Sequence, residues 1–174
     1  VLQANRLAVA FCFACQGHWF MLAGEEFGRT KQGLQNSFDA PAALNQLDWT
    51  RAWTAPWQTL ADYYRGLIAL RGLLPALCDK GPGAPGRLLS SWRPGRLAAA
   101  FHLDNKGPSS RWDALMLFFS AAGQPRPAAL PDGQWQVLVD PDSSFRWQDP
   151  SPTLLSGQVM LPAGGALILG RARL

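Results

Sequence analysis

The chain has 174 residues, with 48% hydrophobic residues, eight Trp and nine Phe, which is enough apolar material for a packed core. Its net charge is +4, but the arginines are scattered and no run of like charges forms the basic stripe that a nucleic-acid surface requires. The apolar stretch from Leu7 to Leu22 is broken by Gln16, Gly17 and His18, and falls short of the ~20 apolar residues of a spanning helix. No nucleic-acid or membrane partner is therefore expected.

Residues 3–15 carry Leu7, Phe11, Cys12 and Cys15 at helical spacing, and Gly17 stops the helix. Cys12 and Cys15 form a C-x-x-C spacing inside this apolar run, which predicts two small buried side chains on a helix rather than a redox pair. With no second such pair and no paired His, no zinc site is expected. His18 to Leu22 reads as a short buried strand, followed by a turn at Ala23-Gly24 into Glu25-Glu26-Phe27. Helix, glycine turn and apolar strand make half of an α/β repeat, in which the loop after the strand faces the ligand.

Residues 28–55 have little periodicity and are rich in Gln, Asn, Asp and Trp, the composition of a long functional loop. Residues 56–74 give the clearest helix, with Leu60, Tyr63, Tyr64, Leu67, Ile68 and Leu74 as its apolar stripe and Pro75 as its stop. Gly66 and Gly72 weaken it unless a neighbour packs close. Gly and Pro crowd residues 79–86, where a linker is expected. Beyond it short apolar runs recur at 87–92, 97–103, 113–120, 134–140, 157–161 and 165–170, separated by turn clusters. That spacing predicts an antiparallel β-sandwich.

Two stretches resemble a known family. Gln16 to Gly33, with Asn36 to Asp39 and Asn45 to Trp49, is similar to the last barrel strand and following loop of type I pullulanases. Asp62-Tyr63-Tyr64-Arg65-Gly66-Leu67-Ile68-Ala69-Leu70-Arg71 resembles their last barrel helix. These enzymes belong to the α-amylase superfamily, glycoside hydrolase family 13. The resemblance covers residues 5–75 by motif, and the second half only by position and pattern.

The resemblance implies an α+β chain: residues 1–78 as the end of a (β/α)8 barrel, 79–86 as linker, and 87–174 as a C-terminal antiparallel β-sandwich. It implies a parent enzyme that cleaves α-1,6 branch linkages in pullulan, amylopectin or glycogen by a retaining mechanism. Such a mechanism sets an Asp nucleophile and a Glu acid about 5–5.5 Å apart. The family takes these, and a further Asp in a His-Asp-Asn motif, from earlier barrel strands. No His-Asp pair occurs in this chain, so no catalytic residue is expected in it. The missing N-terminal part of the barrel is the implied partner, the α-glucan the implied ligand, and no cofactor or metal is implied. Residues 1–78 are expected to fold poorly unless they pack on the β region or on another copy.

The loop over 29–49 lies where the family builds the edge of its glucan cleft. Arg29, Asn36, Asp39, Asn45, Gln46 and Asp48 are the candidate hydrogen-bonding groups, and Trp49 a candidate stacking face, with Trp53 beside it. The competing expectation is that Asn and Asp here organise the loop's own backbone. Gln46 fits the family's variation at its position, whereas Ala42 departs from an acidic one. Glu25 and Glu26 are expected to be structural, pairing with Arg29 or Lys31. Three cysteines and no evident leader lean towards a cytoplasmic protein. The alternative function is a non-catalytic carbohydrate-binding or stabilising module.

Overall fold

Helix α1 (Leu2–Ala14) opens the chain. It buries Val9, Ala10 and Phe13, while Phe11 stays 45% exposed and both Cys12 and Cys15 are exposed. The cysteines are thus not the buried pair expected from the sequence, because α1 turns its Val9–Phe13 face to the core. The structure, a computed structural model, describes residues 1–108 and 110–173. Arg71 closes the end of α1: its guanidinium donates to the carbonyl oxygens of Phe13, Cys15 (2.6 Å) and Gly17 (2.8 Å). The first two belong to the carbonyls a helix terminus leaves without partners, and Gly17 lies just beyond the cap.

The segment 18–22 keeps the two-residue alternation of a strand. Trp19 and Met21 pack on the core, whereas Phe20 is 92% exposed. Yet it joins no ladder among the described residues, so the expected strand is absent. A strand is defined by its hydrogen-bonded neighbour, and none runs beside this segment.

The 28–55 stretch holds two single-turn helices, α2 (Ala42–Asn45) and α3 (Trp49–Ala52). Helix α4 (Trp57–Arg71) follows, burying Leu60, Tyr63, Tyr64, Gly66, Leu67 and Leu70. Ile68, expected in this stripe, is instead 54% exposed. The short α5 (Pro75–Cys78) starts at Pro75, whose lack of an N–H costs nothing in a first turn.

Among the described residues eight strands complete the fold: β1 (Leu88–Trp92), β2 (Ala98–Asp104), β3 (Trp112–Ser120), β4 (Arg126–Ala129), β5 (Trp135–Val139), β6 (Leu154–Leu155), β7 (Gln158–Leu161) and β8 (Gly165–Ala172). Six form one sheet in the order β1-β2-β3-β8-β5-β6, and β4 pairs with β7 in a second, with every pairing antiparallel. Both faces of β3, in the middle of the large sheet, are buried, which explains why it reads as a nearly continuous apolar run. Leu115, Leu117 and Phe119 point to the helices, while Ala114, Met116 and Phe118 point to the small sheet. A bulge between Val137 and Val139 turns both Leu138 and Val139 towards the helices.

The first of these cores is shared. Val9, Phe13, Tyr64 and Leu67 of the helices pack with Leu117, Val139 and Ile168 of the sheet. Residues 1–78 therefore rest on the β region, the condition under which the sequence allowed them to fold. Asn105 ties the two parts further: it is fully buried, accepts from the Ala76 amide (2.9 Å) and donates to Ser110 Oγ and the Trp112 carbonyl.

The chain's two tyrosines are both in this core. Tyr63 donates to the Asp140 carbonyl (3.1 Å) and Tyr64 to Asn5 Oδ1 (2.9 Å). Burial, and then the nearby Asp140, push the Tyr63 phenol well up; burial, and then Glu25 and Glu26, push Tyr64 up to about 12. The native state thus holds both protons more tightly than the unfolded chain, whose phenols titrate near ~10. Their contribution to stability is complete below that pH and is lost at higher pH, that of Tyr64 as pH rises through about 12. An alkaline titration followed by ultraviolet absorbance should show phenolate appearing together with loss of structure. Phenolate forming near its ordinary pH in the folded protein would contradict this.

Candidate functional site

The loop begins at a 3-10 turn, Glu25–Phe27, between Gly24 (φ 99°) and Gly28 (φ 67°). Gly28 also leaves room for the Trp57 ring, which a Cβ there would overlap. The Arg51 guanidinium lies 3.8 Å from the centre of that ring on its face. Phe27, 2% exposed, plugs the base of the loop. The Glu26 carboxylate accepts the Gly24 amide at 2.9 Å. Among the described residues neither Glu25 nor Glu26 forms an ion pair, so the expected pairing with Arg29 or Lys31 is absent.

Arg29 turns inward, donating to the carbonyls of Ala23 (3.2 Å) and Asn45 (2.5 Å). This bridges the start of the loop to α2. Asn45 exchanges two bonds with Ser37, whose hydroxyl donates to Asn45 Oδ1 (2.8 Å) and whose carbonyl accepts from Asn45 Nδ2 (2.6 Å). Ser37 is 3% exposed and also accepts from Lys31 Nζ at 2.5 Å. Asn36 Oδ1 accepts the Phe38 amide at 3.3 Å, a local turn. Asp48 caps α3, accepting from the Thr50 amide (3.1 Å) and hydroxyl (2.5 Å). The hydroxyl bond, the larger cause, holds its carboxyl below the usual range.

The sequence candidates therefore divide. Arg29 and Asn45 are spent on the loop's own backbone, and Asn36 and Asp48 hold its turns. Asp39 and Gln46 are exposed and make no side-chain hydrogen bond among the described residues. Trp49 is 58% exposed, with its ring centre 5.5 Å from that of Phe27, and Trp53 is 70% exposed. The sequence missed Ser37, the loop's buried hub; no periodic signal marks a serine whose partners lie in a loop. Phe38, in the same loop, is 84% exposed.

No group of three or more His, Cys, Asp or Glu able to hold a metal occurs among the described residues. No helix among them is long and apolar enough to cross a membrane. His102 lies in β2 with its ring 5.9 Å from the centre of the Trp135 ring. Burial, then the Arg171 charge, hold its pKa below the usual histidine value, and its Nε2 is buried without a partner. These are properties of a core-edge histidine.

The chain matches no protein-family model. It is 32% identical over 166 residues to the pullulanase of Bacillus subtilis (strain 168), covering 95% of this chain and 22% of that enzyme. It is 32% identical over 151 residues to the glycogen debranching enzyme of Serratia proteamaculans (strain 568), covering 79% of this chain and 21% of that one. Among solved structures, the pullulanase from Bacillus acidopullulyticus superposes with a TM-score of 0.86 at 29% identity, over 98% of this chain and 20% of that one. The type I pullulanase from Bacillus subtilis complexed with maltose gives 0.86 at 30% identity, over 99% and 24%. Over nearly its whole length the chain is thus homologous to the C-terminal part of starch-debranching glycoside hydrolases. Within that class it resembles the type I pullulanases. It spans about a fifth of the length of these relatives, and the similarity extends through the sheet, where the sequence offered only pattern.

Proposed function

We propose that the chain is the C-terminal portion of a retaining hydrolase of α-1,6 glucosidic branch linkages. In this reading residues 1–78 complete a (β/α)8 barrel, 79–86 are a linker and 87–174 a stabilising β-sandwich. The Asp nucleophile, Glu acid and assisting Asp belong to barrel strands that the chain does not include. The observation that carries the proposal is the similarity over 95–99% of this chain to only 20–24% of pullulanases. The exposed edge at 18–22 agrees with it, since Trp19 and Met21 already pack inward while Phe20 and Leu22 are free to meet neighbouring strands.

Within that enzyme the loop 29–49 forms part of the cleft wall. Arg29, Asn45, Asn36 and Asp48 shape it, and Asp39, Gln46 and Trp49 are the groups left free to meet sugar hydroxyls and a ring face. A second reading, a carbohydrate-binding module, is favoured by Trp49, Trp53 and Phe38, three aromatic side chains exposed by 58%, 70% and 84%.

Two assays on the 174-residue chain test these readings together. Reducing-end release from pullulan should be absent, and release lost on mutating a carboxylate of this chain would refute the proposal. Titration with a branched maltooligosaccharide, followed by Trp fluorescence, should give no saturable change. Saturable binding removed by Trp49→Ala would establish the binding-module reading instead.

A further inference from the structure

His102 stands at one end of the space between the two sheets. It lies in β2 on the face that Ala98 and Ala100 turn to the small sheet. Its ring centre is 5.9 Å from that of Trp135, with the two planes at 70°. Trp135 is fully buried and belongs to the core between the sheets. The Nε2 atom of His102 is enclosed and has no hydrogen-bond partner among the described residues. The chain's own atoms enclose it, so no neighbouring domain can reach it with an acceptor.

A neutral imidazole tolerates this place. It can keep its proton on Nδ1 and leave Nε2 as a bare lone pair, whereas an imidazolium carries an N–H on both nitrogens. Protonation therefore buries an N–H of a charged group without an acceptor, which is costly.

The surrounding charges act in the same direction. Strand β8 brings Arg171, whose guanidinium lies over the Trp135 ring, 5.7 Å from its centre. Strand β3 brings Asp113, and Arg171 already donates to both of its oxygens, at 2.8 and 3.2 Å. On β2 itself, Asp104 accepts the Lys106 amide at 3.1 Å. Strands β1, β5, β6 and β7 carry no ionisable group, and Arg126 of β4 lies at the other end, against Gly95. A hollow of about 790 Å³ beside this end sets Lys106, Arg171 and Arg173 against only Asp113 and Asp132. The balance is cationic, and the carboxylate that faces the ring is already bound. Burial, then Arg171, outweigh Asp113 and hold the pKa of His102 below its ordinary value.

We propose that His102 is an acid switch built into the β region: taking up a proton sets a second cation beside Arg171 and loosens β2 from Trp135 at this end. The folded protein binds this proton less readily than the unfolded chain, whose histidines titrate near ~6.5. The stability involved is complete above that pH and is lost as pH falls below it through the folded value.

Urea unfolding of the 174-residue chain at about pH 7.5 and about pH 5, either side of the ordinary histidine range, tests this. The parent's midpoint should be lower at the acid pH. His102→Phe keeps a ring without titrating nitrogens, and its midpoint should fall less. His18→Gln, at the other, exposed histidine, should leave the parent's fall unchanged. In that second variant His102 is the one remaining histidine, so an NMR titration of its ring needs no assignment and no change at His102 itself. The ring should take up its proton below pH ~6.5. The Trp135 indole N–H, held by the Pro131 carbonyl at 2.9 Å, should shift with it. Equal falls for the parent and His102→Phe, proton uptake at or above ~6.5, or an indole signal that ignores the titration would each overturn the proposal.

Discussion

Replacing Trp112 by alanine is expected to destabilise the protein by about 3–5 kcal/mol, the range for deleting a large buried aromatic side chain. Trp112 is 1% exposed and belongs to the core shared by helices and sheet. Its ring lies against Gly170, where a Cβ would come within 2.6 Å of it, and beside Leu138. Its Nε1 donates to Gln136 Oε1 at 3.0 Å, and its carbonyl accepts from Asn105 and Ser110. The substitution therefore opens a cavity and strips the partner from Gln136, itself 7% exposed. Trp112→Phe keeps most of the volume and should cost about 1–3 kcal/mol through the unpaired Gln136 oxygen. Urea midpoints for the two variants separate the contributions. A Trp112→Ala midpoint close to that of the parent would mean that the ring does not anchor this core.

The second large effect sets a glycine inside α4, Gly66, against the one at its C-cap, Gly72. At Gly66 a Cβ would overlap Ser144 Oγ and lie 2.9 Å from the Ser144 carbonyl oxygen. Ser144 is buried and donates to the Tyr63 carbonyl at 2.7 Å, so it cannot step aside without losing that bond. Gly66→Ala should therefore destabilise by about 1–3 kcal/mol, overpacking outweighing the better helix propensity. At Gly72, φ is −61° and the nearest atom to a Cβ, the Ala69 carbonyl oxygen, is 3.5 Å away. Gly72→Ala should stabilise by about 0.4–1 kcal/mol, because it restricts only the unfolded chain. Thermal unfolding of the two variants should move in opposite directions; a shift of the same sign for both would remove the packing argument.

Those glycines also show what the sequence alone could express. Residues 56–74 announced a helix through spacing, and the helix spans Trp57–Arg71. Which of its glycines touched a neighbour depended on Ser144, far along the chain. The six apolar runs of the second half each became a strand; five are buried on one or both faces, whereas β1 is exposed over its first four residues. Strand β4 was invisible: Arg126-Pro127-Ala128-Ala129 has no apolar alternation, and Pro127 is tolerated in a two-stranded sheet where one of its sides is an edge. Strand β6, with two residues, carries too little pattern to read. The segment 18–22 failed in the opposite way, with strand-like alternation but no partner.

For the candidate loop, residue types were legible and their directions were not. An Asn can turn to its own backbone or to a ligand with equal ease, and nothing in the order Asn36, Asn45 distinguishes the two. Only the fold shows that Asn45 closes on Ser37, and that Arg29 reaches back to Ala23 while Asp39 faces outward. The family resemblance located the loop, whereas its internal bonding required coordinates.

The shared core has a consequence for chimaeras. Because Phe13, Tyr64 and Leu67 interlock with Leu117, Val139 and Ile168, the joint between α5 and β1, where helices give way to strands, is not a seam in the packing. A hybrid that grafted the sheet of one relative onto the helices of another at that joint would set mismatched side chains against each other across the whole interface. Recombination that preserves the protein has to carry α1 and α4 together with the strands they rest on.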